Sequence, residues 1–130
     1  MKAIMLACVV TAVGVLTAPQ PSEAGDAQRG EVLFDRCAVC HSPEPGKHKS
    51  GPSLAGVVGR PLGSVEGYYG YSPAMQARGE AGVVWTPEDL QAFLADPRGV
   101  VPGTSMPPPL GIKDDTDRAD VVAYLQTLKP

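Results

Sequence analysis

Apolar positions along this chain gather into a few patterned stretches, separated by runs rich in glycine and proline. In "GDAQRGEVLFDRCAVCH", Ala27, Gly30, Phe34 and Cys37 recur at helical spacing on one face, and Asp26 stands where a side chain can cap the first turn; the spacing predicts a helix through this stretch. Gly30 weakens a helix at such a position, so its use is expected to be a close contact with another helix. "SPAMQARG" follows helix grammar, with Ser72 as N-cap, Pro73 at the first helical position and Gly79 as terminator. "TPEDLQAFLADP" repeats it with Thr86, Pro87, an acidic first turn, apolar Leu90, Phe93 and Leu94, and a stop at Asp96 and Pro97. "DDTDRADVVAYLQTLK" predicts a last amphipathic helix with Val121, Val122, Leu125 and Leu128 inward, aspartates early and Lys129 late. Residues 42–70 and 98–113 read as loop, and no strand alternation is present, which makes the expected fold class all-α.

The N-terminal stretch has a different pattern. "MKAIMLACVVTAVGVLTA" carries one early charge, Lys2, and then stays apolar or small up to the breaker-rich "PQPSEAGD". A basic start, a short apolar run and small residues at Ser22 and Ala24 describe a secretory signal, residues 1–24, cleaved before Gly25. The run falls short of the roughly 20 apolar residues that span a bilayer, and "MLAC" around Cys8 comes too early for a lipoprotein signal. The expected mature chain is one domain, residues 25–130, exported to the periplasm with no membrane span of its own.

Cleavage removes Cys8 and leaves two cysteines, Cys37 and Cys40; it removes Lys2 and Glu23 together, so the net charge stays at -3. No basic run exists to neutralise phosphates, which argues against nucleic-acid binding. Fifteen glycines and fourteen prolines against four Tyr, two Phe and one Trp describe a small, loop-rich domain that needs reinforcement beyond its own core.

That reinforcement is expected in "FDRCAVCHS". A redox disulfide of the thioredoxin kind sits in an α/β sheet, which this chain does not offer. A structural zinc site would have to use Cys37, Cys40, His41 and His48, and adjacent Cys40 and His41 are awkward joint ligands. C-x-x-C-H is the attachment signature of c-type haem: two thiols a helical turn apart can each form a thioether to one macrocycle edge, with His41 as an axial ligand. For the other axial position "VPGTSMPP" offers Met106, enclosed by Pro102, Gly103, Pro107, Pro108 and Pro109, where flexible core packing is out of place.

With these residues in view the chain resembles a class I c-type cytochrome, of the mitochondrial and soluble bacterial kind. "GDAQRGEVLFDRCAVCH", "GKHKSGPSLAGVVGR", "YSPAM", "PGTSM", "GIK" and "DVVAYL" carry the resemblance, which runs almost the whole expected mature length. It implies a small all-α fold of four to five helices, with long loops around one haem c bound covalently through Cys37 and Cys40 and ligated by His41 and Met106. It further implies that the Pro52 carbonyl orients the His41 ring, that Arg60, Tyr71 and Trp85 hold a haem propionate, and that Thr104 adds an inner contact. His48 would tie two loops together, and Gly30 would cross Tyr124 of the last helix. Two departures stand out: Phe93 replaces a tyrosine often found near the methionine sulfur, and Met75 sits near where an asparagine is common.

The implied function is that of a monomeric one-electron carrier, not an enzyme, working between a cytochrome bc complex and a terminal oxidase or photosynthetic reaction centre. Arg36, Lys47, Lys49, Arg98 and Lys113 would form a reduced version of the lysine ring that steers partners in mitochondrial relatives, with Asp114, Asp115, Asp117 and Asp120 on the surface as opposing charge. The same domain could serve instead as a dedicated haem subunit of a periplasmic dehydrogenase. An open-iron enzyme or gas binder fits less well, given Met106 and the lack of a second C-x-x-C-H.

Overall fold

Five α-helices and a 3-10 turn carry residues 25–130, the part of the chain that this computed structural model describes; the expected leader, residues 1–24, lies outside the described residues. The helices are α1 (Ala27–Leu33), α2 (Pro73–Glu80), α3 (Pro87–Ala95), α4 (Pro97–Val100) and α5 (Asp115–Thr127), with the 3-10 turn at Phe34–Arg36. Among the described residues, β pairing is limited to one isolated antiparallel bridge between Pro61 and Val84, and the all-α class holds.

Local chemistry sets the helix starts. Asp26 accepts hydrogen bonds from the Gln28 and Arg29 amides at 2.9 and 3.2 Å, Ser72 from Met75 at 3.2 Å, Thr86 from Asp89 at 3.0 Å and Asp114 from Asp117 at 2.8 Å. Each bond satisfies a first-turn donor that has no partner within its own helix.

Several helix ends differ from expectation. The first helix stops at Leu33 and tightens into the 3-10 turn, after which Cys37 and Cys40 donate to the Phe34 and Cys37 carbonyls at 2.7 and 3.0 Å. Gly79 lies inside the last turn of α2 and is not its terminator; its missing side chain makes room for the Leu62 carbonyl, 1.8 Å from where a Cβ would sit. Gly82, at φ 87°, is the residue that turns the chain away. Beyond Asp96 the expected loop begins with a helical turn, α4, because Asp96 caps the Gly99 amide at 3.0 Å and Pro97 suits the first helical position.

The frame is α1 crossing α5, with α3 packed on α5 from another side. A Cβ on Gly30 would lie 1.9 Å from the Asp120 carbonyl oxygen, so only glycine lets the two backbones meet. Next to that contact the Phe34 and Tyr124 rings meet edge to face at 5.2 Å. Leu90, Phe93 and Leu94 of α3 join Val121, Val122 and Leu125 of α5, Phe34 and Trp85 in one buried cluster, with Leu128 partly buried at its margin.

Asp120 was expected on the surface with the other aspartates of α5, yet it is 3% exposed. Its carboxylate accepts from the Asp26 amide at 2.7 Å and pairs with Arg29, which also reaches Asp117 at 2.6 Å. The close approach at Gly30 covers this side chain, and the start of α1 supplies its partners.

Candidate functional site

The loops between α1 and α2 and between α4 and α5 fold against the helices around a cavity of about 320 Å³. Cys37, Cys40, His41, Pro52, Arg60, Tyr71, Trp85, Thr104 and Met106, drawn from widely separated segments, all line it. Its walls are otherwise largely apolar, with Leu54, Val57, Leu90, Phe93, Leu94, Val121 and Leu125 among them.

Cys37 and Cys40 are both free thiols, the first half-buried and the second exposed. Burial, with Cys40 adding to it, pushes the Cys37 thiol up to about 11. Among the described residues no group of three or more His, Cys, Asp or Glu side chains is placed to hold a metal ion.

His41 is buried, and its Nδ1 donates to the Pro52 carbonyl at 2.7 Å. A carbonyl can only accept, so the proton is on Nδ1 and the lone pair on Nε2. Desolvation lowers the imidazole's pKa and so favours the neutral ring, against the opposing pull of the Pro52 carbonyl. Gly51, which sequence reasoning missed, makes this placement possible: a Cβ there would lie 2.5 Å from His41 Cε1. A glycine directly before the orienting proline was the available signal.

The loop carrying Pro52 is anchored from several directions. Gly51 donates its amide to the Cys40 carbonyl at 2.8 Å, Lys49 reaches the Ala38 carbonyl, and Tyr68 Oη donates to the Ser50 carbonyl at 2.7 Å. His48 Nδ1 accepts from the Ser53 amide at 3.0 Å while its Nε2 donates to the Glu66 carbonyl, also at 3.0 Å, joining residues 48–53 to the loop before Tyr71.

On the wall formed by Arg60 and Trp85, backbone bonds of 3.0 Å from Trp85 to Arg60 and 2.7 Å from Gly59 to Trp85 hold the two residues side by side. Arg60 Nη1 donates to the Ser53 and Ala55 carbonyls at 3.0 and 3.2 Å, but its Nε is buried with no hydrogen-bond partner. Burial lowers the guanidinium's pKa and neighbouring Tyr71 opposes that shift. A buried, unpaired cationic donor is costly, and a carboxylate is the group that satisfies it. Thr104 Oγ1 accepts from the Met106 amide at 3.3 Å and so shapes the loop that presents the thioether. Met75 and Phe93 are buried in the same cavity, the Phe93 ring 5.0 Å from Trp85.

This donor set fits a haem: paired thiols at the cavity's edge, an imidazole with a free Nε2, a thioether, apolar walls, and a guanidinium that lacks an anion. Comparison with known proteins agrees. Residues 27–129 match the family model described as Cytochrome c. The chain is 47% identical to cytochrome c of Euglena viridis over 81% of its own length and 99% of that protein. It is 46% identical to cytochrome c2 of Rhodopila globiformis, over 81% and 95% of the two chains. The solved structure of cytochrome c2 from Rhodospirillum centenum superposes with a TM-score of 0.74 at 37% identity, covering 82% of this chain and all of that one.

Proposed function

The chain belongs to the cytochrome c family, and from that membership we propose how its residues carry out the work and where they do it. It is a one-electron carrier, not an enzyme, and it binds one haem c through Cys37 and Cys40. Haem supplies an iron centre that gains and loses a single electron. The protein's part is to hold that centre in one geometry. His41 and Met106 would hold the iron, with Pro52 and Gly51 orienting the imidazole and the Thr104 contact shaping the methionine loop. Arg60, Tyr71 and Trp85 would receive a propionate, which would complete the hydrogen bonding of Arg60 Nε. Apolar walls favour the less charged ferrous state.

The observation that carries this reading is that His41, its Nδ1 engaged by Pro52, shares one cavity with Met106 and both cysteines. We assign the carrier to the periplasm, reached by removal of residues 1–24, and its exchange to a cytochrome bc complex on one side and a terminal oxidase or reaction centre on the other. Among the described residues no helix is long and apolar enough to cross a membrane. A dedicated dehydrogenase subunit is not favoured, because the chain aligns with nearly the full length of relatives named simply cytochrome c and cytochrome c2.

The ligand assignment is tested on the purified haem-loaded protein. Its ferric form should show the weak long-wavelength band of methionine-bound iron, and Met106→Ala should abolish the band and lower the reduction potential. A band that survives the substitution would move the ligand elsewhere, with Met75 the next thioether in the cavity.

A further inference from the structure

Helix α5 ends at Thr127, and Leu128 leaves it in extended backbone, at φ -77° and ψ 117°. The residues that follow meet the loop that carries Arg60. The Leu128 carbonyl accepts from the Gly56 amide at 3.1 Å, and Pro130 lies so near Gly56 that a Cβ there would come within 2.9 Å of its Cα and Cγ. Gly56 also stands at φ 66°, in the left-handed region that glycine adopts without strain. Conformation and close approach both call for glycine, and the second ties this loop to the tail after α5.

The Gly56 amide and the Ala55 carbonyl belong to one trans, planar peptide unit, so they point in opposite directions. Leu128 holds one end of that unit, and the other end accepts from Arg60 Nη1 at 3.2 Å. Nη1 also donates to the Ser53 carbonyl at 3.0 Å. Ser53 is fixed in turn by its amide on His48 Nδ1 at 3.0 Å and its hydroxyl on the Glu44 carbonyl at 2.6 Å. A guanidinium is planar and rigid, so two acceptors on Nη1 set the direction of the buried, unpaired Nε. One acceptor is held from within the 44–53 loop, the other from the far end of the chain. Arg60 borders a second hollow of about 500 Å³ as well, and Gly56 and Pro130 are on its wall.

We propose that Leu128 and Pro130 are positioning residues for Arg60: through the peptide unit between Ala55 and Gly56 they hold the guanidinium where it receives a propionate, and so help to set the reduction potential. The proposal rests on the propionate role given to Arg60 above and goes beyond it in assigning the tail after α5 to the redox site. Hydrogen bonds in series polarise one another, so the bond from Gly56 to Leu128 strengthens the Ala55 carbonyl as an acceptor for Arg60. A cation held against the propionate offsets that anion's charge near the iron. When the guanidinium drifts, the less compensated anion favours the more positive ferric state, and the potential falls.

Redox titration and amide hydrogen exchange of the haem-loaded protein test this. A chain ending at Thr127 should favour the ferric form about threefold more than the 130-residue chain does, the low end of one hydrogen bond's net worth and a fall of about 30 mV. Its Gly56 amide should exchange about tenfold faster relative to the Leu90 amide of α3. Pro130→Gly should give part of both effects and Pro130→Val, which keeps a Cβ and a Cγ, should restore them. Val122→Ala is the control for stability alone: Val122 is buried on α5 but does not line the cavity, and its loss should lower the unfolding midpoint with the potential unchanged. Arg60→Gln should lower the potential more than the shortened tail does. If Arg60→Gln lowers it and the shortened chain does not, or if Val122→Ala lowers it as far as the shortened chain, the positioning role of the tail is overturned and the propionate role of Arg60 stands. An unchanged potential in Arg60→Gln would overturn both.

Discussion

The α1 and α5 crossing and the loop-built side around His41 are held together by different means. At the crossing, Gly30 lets two backbones touch, Phe34 and Tyr124 pack edge to face, and buried Asp120 binds both the Asp26 amide and Arg29. On the other side, residues 42–71 contain no helix, and Ser50, Pro52, Ser53 and Glu66 are joined by single hydrogen bonds to Tyr68, His41, Arg60 and His48. In the first region buried Asp120 and the Asp26 amide satisfy one another, although Arg118 Nε of α5 is buried with no hydrogen-bond partner. The second leaves Arg60 Nε unpaired and surrounds a cavity. A small domain can support one self-sufficient contact of this kind, whereas the rest depends on what fills the space between its loops.

The largest test of that contrast is to prevent covalent haem retention. A Cys37→Ser, Cys40→Ser double variant should lose on the order of 4 kcal/mol, the scale of a tightly held native-state ligand. Hydrogen exchange should show protection vanishing first across residues 42–72 and persisting longest where α1 meets α5. Uniform loss over both regions would break the comparison. Next in size, Gly30→Val strikes the self-sufficient side. The added methyl groups would run into the Asp120 carbonyl, and overpacking of this kind costs about 3 kcal/mol in urea unfolding of the haem-loaded protein.

The smallest of the three is His48→Ala, which strands the Ser53 amide and the Glu66 carbonyl. It should cost about 1–2 kcal/mol. Because the Ser53 amide follows the Pro52 carbonyl in the same peptide unit, the reduction potential should shift as well. A loss of stability with no change in potential would show that His48 only joins loops and does not help to place His41.

Some of this was legible because it is local. Asp26, Ser72 with Pro73 and Thr86 with Pro87 set helix starts within a few residues of themselves, so their side-chain types sufficed. Gly30 could be read as a contact residue since nothing else accounts for a glycine inside a helix. Asp120 could not be read: it looks like any helix-surface acid until α1 arrives beside it. Gly79 resembled a terminator, yet the carbonyl of Leu62, a residue outside its helix, is what requires it.

The sequence by itself determined the attachment chemistry, the fold class and most helix starts, because a thiol spacing, an apolar period and a capping side chain act over a turn or two of chain. The tertiary structure alone decided which carboxylate is buried and which glycines, Gly51 beside His41 and Gly79 beside the Leu62 carbonyl, are required by close approach. Those outcomes depend on backbone groups that come from elsewhere in the chain, and burial and hydrogen bonding take their sign from whatever folding brings alongside.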